Sequence, residues 1–369
     1  MKRKLYKNLS ELRILFLINF WKISNFFLKK DISKVKFIIE KENWAIKTVG
    51  TYISKSINRK FENFMSVSRN PEKFEDKIIH FGSHYLWLLK YKYLSRNNRY
   101  VVSFFHGNPN ESISEKIVFE NFINSVKYLD KIVVSNSIVY NRLIENGVDK
   151  KKLIKIPIGV DTKHFKPPNK LKRQKSRSFF KFKEDDIVIG SFQKDGQGWK
   201  DGMLPKMIKG PDIFYKVISD LSKDFNIKIL LTGPARGYLK KKLDSNKIPY
   251  IHSYLDDYSK LIDYYHALDF YLITSREEGG PMGLLESISS GVPVVSTNVG
   301  MASDFIKSKE IGIVVNTFDP KRISKKFKNF INESYSTNRK KNIKHVIMKA
   351  DWNIVAKNHY EKVYKEMLR

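Results

Sequence analysis

The 369-residue chain reads as an α/β protein of two doubly wound domains, and three observations carry that reading. Helical and strand-like stretches alternate through most of the sequence, which favours α/β layers over separate all-α and all-β domains. Strand-like runs such as Ile227-Lys-Ile-Leu-Leu231 are almost continuously apolar, as suits a parallel sheet covered by helices on both faces. The length is about that of two ordinary domains, and a hydrophobic content of 41% is enough to give each a core.

The chain opens Met1-Lys2-Arg3-Lys4 and reaches an apolar, aromatic stretch from Leu12 to Leu28. Arg13, Asn19, Lys22, Ser24 and Asn25 interrupt it, so it fits poorly to the run of ~20 apolar residues that spans a bilayer. No small-residue cleavage site follows, against a secretory signal. Phe16, Phe20, Trp21, Phe26 and Phe27 among basic residues suit an interfacial helix on a membrane, and equally a helix packed on the first domain.

Strands are expected at Val35 to Ile39, Phe64 to Val67, Lys77 to Phe81, Tyr100 to Phe105, Lys131 to Ser135 and Leu153 to Ile158. Helices are expected at Trp44 to Ile57, Glu115 to Tyr128 and Ser137 to Glu145, the last stopped by Gly147. From Thr162 to Lys183 the composition shifts to nine Lys or Arg, no carboxylate and Pro167-Pro168, the signature of a surface connector.

The second half repeats the alternation. Strands fall at Ile187 to Phe192, Ile227 to Leu231, Tyr250 to Tyr254, Phe270 to Thr274 and Val292 to Ser296. Helices fall near Pro211 to Ser222, Tyr238 to Leu243, Tyr258 to His266 and Pro281 to Ser290, and the tail from about Ser324 is helical. The resulting division is an N-terminal domain 1–165, a basic linker 166–183, a C-terminal domain 184–350 and a terminal helix 351–369 that packs back on the first domain.

The net charge of +31 favours an anionic partner such as nucleic acid, acidic lipid or a phosphorylated substrate, without separating these; solvated basic faces in a lysine-rich composition are the plain alternative. No cysteine is present, which excludes disulfides, thiolate metal sites and cysteine nucleophiles, and is compatible with a reducing cytoplasm.

The chemistry concentrates in Thr274-Ser-Arg-Glu-Glu-Gly-Gly-Pro-Met-Gly-Leu-Leu-Glu286. A strand ends near Thr274, Gly279-Gly280 make a turn, and Pro281 suits the first position of a helix that Gly291 and Pro293 close. Strand, glycine turn and helix start form an anion site, because the free N–H groups of the first turn point outward. The dipole adds only about 0.3–1 kcal/mol, so selectivity needs side chains. Glu278 and Glu286 are eight residues apart, about 12 Å along a helical rise. Two glycosidase carboxyls sit roughly 5–9.5 Å apart across one bond, so this pair more naturally grips two parts of one extended ligand.

Glu278-x₇-Glu286 followed by Ser-Ile-Ser-Ser-Gly-Val-Pro-Val-Val resembles the donor motif of the family-4 retaining glycosyltransferases (glycosyl transferases group 1) of GT-B fold, two Rossmann-like domains facing a cleft. The resemblance implies that Glu286 holds the nucleotide ribose and Glu278 the hydroxyls of the transferred sugar. Backbone around Gly279, Gly280, Gly283 and Leu284 would meet the sugar and diphosphate. Ile156-Pro-Ile-Gly-Val-Asp161, Gly190-Ser-Phe-Gln-Lys194 and Lys209-Gly210 are similar to further family segments. In that frame Lys209, and more weakly Lys194, neutralise the diphosphate as charge builds on the leaving group. Gly233-Pro-Ala-Arg-Gly237 and the turn at Tyr254 resemble loops beside the base. His106, after the fourth strand, stands where many relatives turn a histidine to the cleft, to contact the sugar or move a proton. Its plain alternative is a strand-end histidine bonded to backbone.

Two departures stand out. Ser191 replaces a frequent family arginine, with a long insertion from Asp195 to Met207 that reads as a lid or an acceptor contact. The glycine-rich loop near the start of the first domain is not evident, and Glu40-Lys-Glu-Asn-Trp44 stands in its place. His80 and His84 do not form a helical metal pair, and no Asp-x-Asp occurs, so neither a metal nor another cofactor is expected.

The expected function is sugar transfer from a nucleotide-diphosphate sugar to a glycan or lipid-linked acceptor in cell-surface polysaccharide or lipopolysaccharide synthesis. The expected place is the cytoplasm or, through the basic surface, an anionic membrane leaflet. The competing readings are a nucleotide-sugar epimerase or sugar-phosphate synthase on the same fold, and a basic nucleic-acid-binding protein. The last explains the charge but not the glycine turn with two spaced glutamates, and no zinc-finger spacing or RNA-binding aromatic signature appears.

Overall fold

The computed structural model describes residues 32–41, 45–333, 346 and 348–368. The chain divides into two compact units: one takes the chain through Ser135, Val139–Ile156 and the residues from Trp352, the other Asn136–Ile138 and Pro157–Asp351. The apolar stretch expected from Leu12 to Leu28 lies outside the described residues, as do Glu42, Asn43 and Trp44.

The first unit is built on six parallel strands: β1 (Val35–Ile38), β2 (Met65–Ser68), β3 (Ile78–Phe81), β4 (Arg99–Ser103), β5 (Lys131–Val134) and β6 (Leu153–Lys155), in the order β2-β1-β3-β4-β5-β6. Strand β6 stops earlier than the apolar run suggests, because Pro157 cannot donate to a ladder. Phe81, Trp87, Phe104 and Phe122 fill the core on one face, and Trp87 Nε1 donates to Ser125 Oγ at 2.8 Å. Helix His84–Lys90 has no counterpart in the sequence reading; Ser83 caps it by accepting from the Tyr85 amide at 3.2 Å. The terminal helix Trp352–His359 belongs to this unit, stacking Trp352 on Tyr52 with ring centres 4.9 Å apart. His80, buried in β3, uses both ring nitrogens, on Tyr364 Oη at 2.7 Å and Ser103 Oγ at 2.9 Å. Burial, then the nearby His359, keeps it neutral well below the usual histidine range.

The second unit carries β7 (Ile187–Phe192), β8 (Ile227–Thr232), β9 (Tyr250–Ser253), β10 (Phe270–Ile273), β11 (Val294–Thr297) and β12 (Gly312–Val315), all parallel, in the order β12-β11-β10-β7-β8-β9. Strand β12 is an addition to the sequence reading, and β11 begins past Pro293 rather than at Val292. The core between sheet and helices is aliphatic and aromatic, with Phe214, Val217, Leu231, Leu272 and Phe327 buried. The tail helix starts at Pro320, ahead of the expected Ser324, with Asp319 as its cap.

Within the basic stretch read as a connector the chain forms helix Lys170–Phe179, in the second unit. Asn169 caps it on the Lys172 amide at 2.8 Å, and Arg173 and Arg177 bind the two carboxylate oxygens of Asp269 at 2.6 and 3.0 Å. A segment without an apolar stripe is held here by guanidinium forks reaching a distant acid.

The second sheet reverses its winding between β7 and β10. In open α/β sheets, ligands bind outside the carboxyl ends of the strands at such a switch point. The loops after β7 and β10 are therefore where chemistry is to be sought.

Candidate active site

The loop after β10 and the turn before helix Pro211–Leu221 are stitched together. Thr274 Oγ1 donates to Gly210 O at 2.9 Å, and the Arg276 amide donates to Ile208 O at 2.7 Å. The Arg276 guanidinium grips both carboxylate oxygens of Asp212, at 2.9 and 2.8 Å. Gly210 takes a left-handed conformation (φ 62°) so close to Thr274 that any Cβ would overlap the Thr274 carbonyl. The glycine is thus demanded by backbone geometry, and the turn it makes fixes where Lys209 leaves the chain.

Lys209 Nζ lies 2.6 Å from Glu278 Oε1, which also accepts from Ser275 Oγ at 2.8 Å. The lysine is partly exposed and the glutamate nearly covered. An ammonium carries three donors, so one bond to Glu278 leaves two for an anion. Both bonds to Glu278 use Oε1, so its carboxylate is aimed by protein on one side only.

Helix Met282–Ser289 starts beside this pair. Pro281 is its N-cap rather than its first helical residue, and no side chain caps the helix. The Leu284 amide already donates to Pro281 O at 3.0 Å, so the outward donors of the first turn are those of Met282 and Gly283. Leu284 itself is buried. Gly283 is required by packing, since a Cβ there would run into the Tyr271 hydroxyl. Gly280 sits against Ile158 and Met301 in the same way, and Gly279 O accepts from Asn136 Nδ2 at 2.6 Å.

Glu286 is the exception to an outward-facing motif. It is only 4% exposed, and its two oxygens accept from the hydroxyls of Tyr258 and Tyr265, the latter at 2.9 Å. Burial lifts its carboxyl above the usual carboxylate range, while the two tyrosines pull the other way. Tyr265 is sealed in the core, whereas Tyr258 is exposed. Tyr258 is therefore the one of the two that borders solvent. The tyrosines escaped the sequence reading, although their spacing of seven residues signals one helical face and a buried acid requires donors.

Lys194 follows β7 but points at the insertion, with Nζ 3.6 Å from the centre of the Trp199 ring. Burial, then the charge of Lys206, lowers its pKa below the usual lysine value. Ser191 lies under Arg236, which is wholly buried and donates to Ser191 O at 2.8 Å, Gln193 O at 2.9 Å and Thr232 O at 2.9 Å. Arg236 Nε faces Asp195 Oδ1 at 3.0 Å. That guanidinium is consumed in holding the loops after β7 and β8, not in meeting a ligand. His252 Nε2 lies 2.9 Å from Gly233 O, tying the end of β9 to the loop after β8, and Tyr254 beyond β9 is exposed.

His106 belongs to the first unit. It is exposed beyond β4, 5.7 Å from the His84 ring, and the next residue, Gly107, gives its carbonyl to Arg142 at 2.7 Å. A separate cavity of about 770 Å³ between helices Lys170–Phe179 and Leu261–Ala267 holds none of the expected site residues; Lys172, Lys175, Phe179 and Lys260 are among its walls.

The chain has the GT-B architecture of two Rossmann-like units, and residues 202–346 match the family described as Glycosyl transferases group 1. Among curated proteins it is 27% identical over 174 residues to the lipopolysaccharide core biosynthesis mannosyltransferase LpsB of Rhizobium meliloti, covering 44% of this chain and 46% of that one. It is 24% identical over 213 residues to the capsular polysaccharide biosynthesis glycosyltransferase CapM of Staphylococcus aureus, 55% and 52% of the two chains. The match thus spans about half the length of these relatives. Among solved structures, Anabaena HepE in complex with UDP superposes with a TM-score of 0.71 at 11% identity, over 90% of this chain and all of that one. Among the described residues no helix is long and apolar enough to cross a membrane.

Proposed function

We propose that this chain is a retaining glycosyltransferase that moves a hexose-type sugar from a nucleotide-diphosphate donor to a glycan or lipid-linked acceptor. The observation that carries the proposal is the uncapped start of helix Met282–Ser289 beside the Lys209–Glu278 pair, at the switch point of the second sheet. The diphosphate lies against the Met282 and Gly283 amides and the free donors of Lys209, and Glu278 offers its second oxygen to a sugar hydroxyl. As the bond from anomeric carbon to phosphate oxygen breaks, the negative charge grows where the lysine and amides already stand. The acceptor oxygen bonds the same carbon on the face the phosphate leaves, and its proton passes to the departing phosphate oxygen, directly or through His106, so that the nucleoside diphosphate is the leaving group.

Glu286 holds the ribose. A ribose hydroxyl replaces that of Tyr258 on the carboxylate, while Tyr265 stays as the fixed donor. His106 serves the sugar or the transferred proton. No metal enters this scheme, in keeping with a sequence that lacks Asp-x-Asp. The names of the relatives support a cell-surface glycan as product and, with UDP bound in HepE, a nucleoside diphosphate donor.

A thermal-shift screen of nucleotide sugars, followed by product analysis with the stabilising donor, tests this. One nucleotide sugar should raise the melting temperature, and Lys209→Ala should shrink that shift and lower transfer about 10²–10³-fold while the protein stays folded. Full transfer by Lys209→Ala and by Glu286→Ala would sink the site assignment.

A further inference from the structure

Residues 195–207 form a tongue with a rigid root. The Lys206 amide donates to Asp195 O at 2.7 Å and the Gln197 amide to Leu204 O at 2.8 Å, with an antiparallel bridge from Gly196 to Pro205. The buried Asp195–Arg236 pair fixes one side of the root. On the other side Asp201 O and Gly202 O accept the first amides of helix Gly237–Ser245, at 2.6 and 3.1 Å. Gly202 is left-handed (φ 70°) and pressed so tightly on Ala235 that no side chain fits.

The outer part of the tongue is apolar and basic. Trp199 is 62% exposed, Leu204 68% and Met203 47%. Lys194 covers one face of the Trp199 ring, Lys206 is near enough to disfavour the charge on Lys194, and Lys200 follows Trp199 directly. Asp201 is the one carboxylate of the tongue not buried at its root. Isolated exposed apolar residues are ordinary, but three on one braced projection among three lysines are not.

We propose that this tongue docks the protein on an anionic bilayer, with Trp199 and Leu204 entering the boundary between headgroups and acyl chains and the lysines meeting lipid phosphates. Amphipathic tryptophan, aliphatic neighbours and lysine make up the chemistry of that interface. Exposed Met203 and Leu204 offer a soluble glycan no hydrogen bond, whereas both suit the acyl boundary. The rigid root presents the tip ready-ordered, so docking does not have to order a loop.

Vesicle sedimentation of the full chain tests this without any nucleotide sugar, so its outcome is separate from that of the transfer assay. Binding to phosphatidylcholine vesicles containing phosphatidylglycerol is expected, with little binding to phosphatidylcholine alone. The Trp199→Ala/Leu204→Ala variant should partition at least about tenfold less. Lys200→Gln should lose about fivefold, the equivalent of roughly 1 kcal/mol per lysine at an anionic leaflet. Brominated lipid should quench tryptophan emission in the wild type more than in Trp199→Phe. Failure of the wild type to bind, or equal binding by wild type and double variant, overturns the proposal. So does a double variant that keeps vesicle binding but loses a soluble acidic oligosaccharide, which would assign the tip to the acceptor.

Discussion

At the carboxyl ends of β7 and β10 the second unit gathers Lys209, Glu278 and Ser275 around an uncapped helix start. At the ends of β1 and β3 the first unit does the reverse. A Cβ on Gly82 would press on Phe37 and Ile46, and Ser83 spends its hydroxyl capping the helix it precedes. In the second unit the helix start at the switch point is left uncapped beside charged groups, whereas after β3 the described turn is packed on apolar side chains and its helix is capped by Ser83. The difference is that one helix start keeps outward amides available to an anion while the other has a side chain already accepting from its first turn.

The largest expected effect tests the frame behind the open site. Arg236→Ala strands the buried Asp195 carboxylate and three carbonyls, and should cost about 3–5 kcal/mol in chemical denaturation. A loss below about 1 kcal/mol would mean that the root of the tongue is not held by this pair. Next comes Lys209→Ala, expected to lower turnover about 10²–10³-fold, as removal of one preorganised donor does, with the unfolding midpoint little changed. A parallel collapse of stability would mark the lysine as structural.

Tyr265→Phe should destabilise by about 1–3 kcal/mol at neutral pH, because a buried carboxylate loses a donor. A carboxyl whose folded pKa is raised contributes stability below its unfolded value of about 4.3, and that contribution is lost as pH rises through the folded value. Removing a tyrosine that lowers the pKa enlarges that loss, so the cost of the variant should shrink when unfolding is measured near pH 4. A cost independent of pH would show that Glu286 does not change its protonation over that range. The smallest effect belongs to the capped helix: Ser83→Ala should cost about 1 kcal/mol and leave nucleotide-sugar stabilisation unchanged. If it weakened that stabilisation, the contrast between the two helix starts would fail.

The second sheet was legible because β7, β8 and β10 are apolar runs of strand length, a signal held within each run. Helix Lys170–Phe179 was not, because its anchors are Arg173 and Arg177 on Asp269, some ninety residues away, and its own composition is that of a solvated linker. The glycine turn and its glutamates could be located from spacing, but not aimed. Glu278 and Glu286 look alike in sequence, and only the fold gives one a lysine and the other two tyrosines. Lys194 lies at the expected place in the chain, yet the aromatic ring that captures it comes from an insertion with no periodic signal.

The ribbon pairing at the root of the tongue has a consequence for how this chain can diverge. Since Asp195 and Lys206 are bonded across the base, the path from β7 to Lys209 is set there, whatever the number of residues looped beyond it. Lengthening or shortening the chain between Gln197 and Trp199 would leave both flanking cations in register. The projection can thus be tuned to new surroundings while the ammonium beside Glu278 stays where it is.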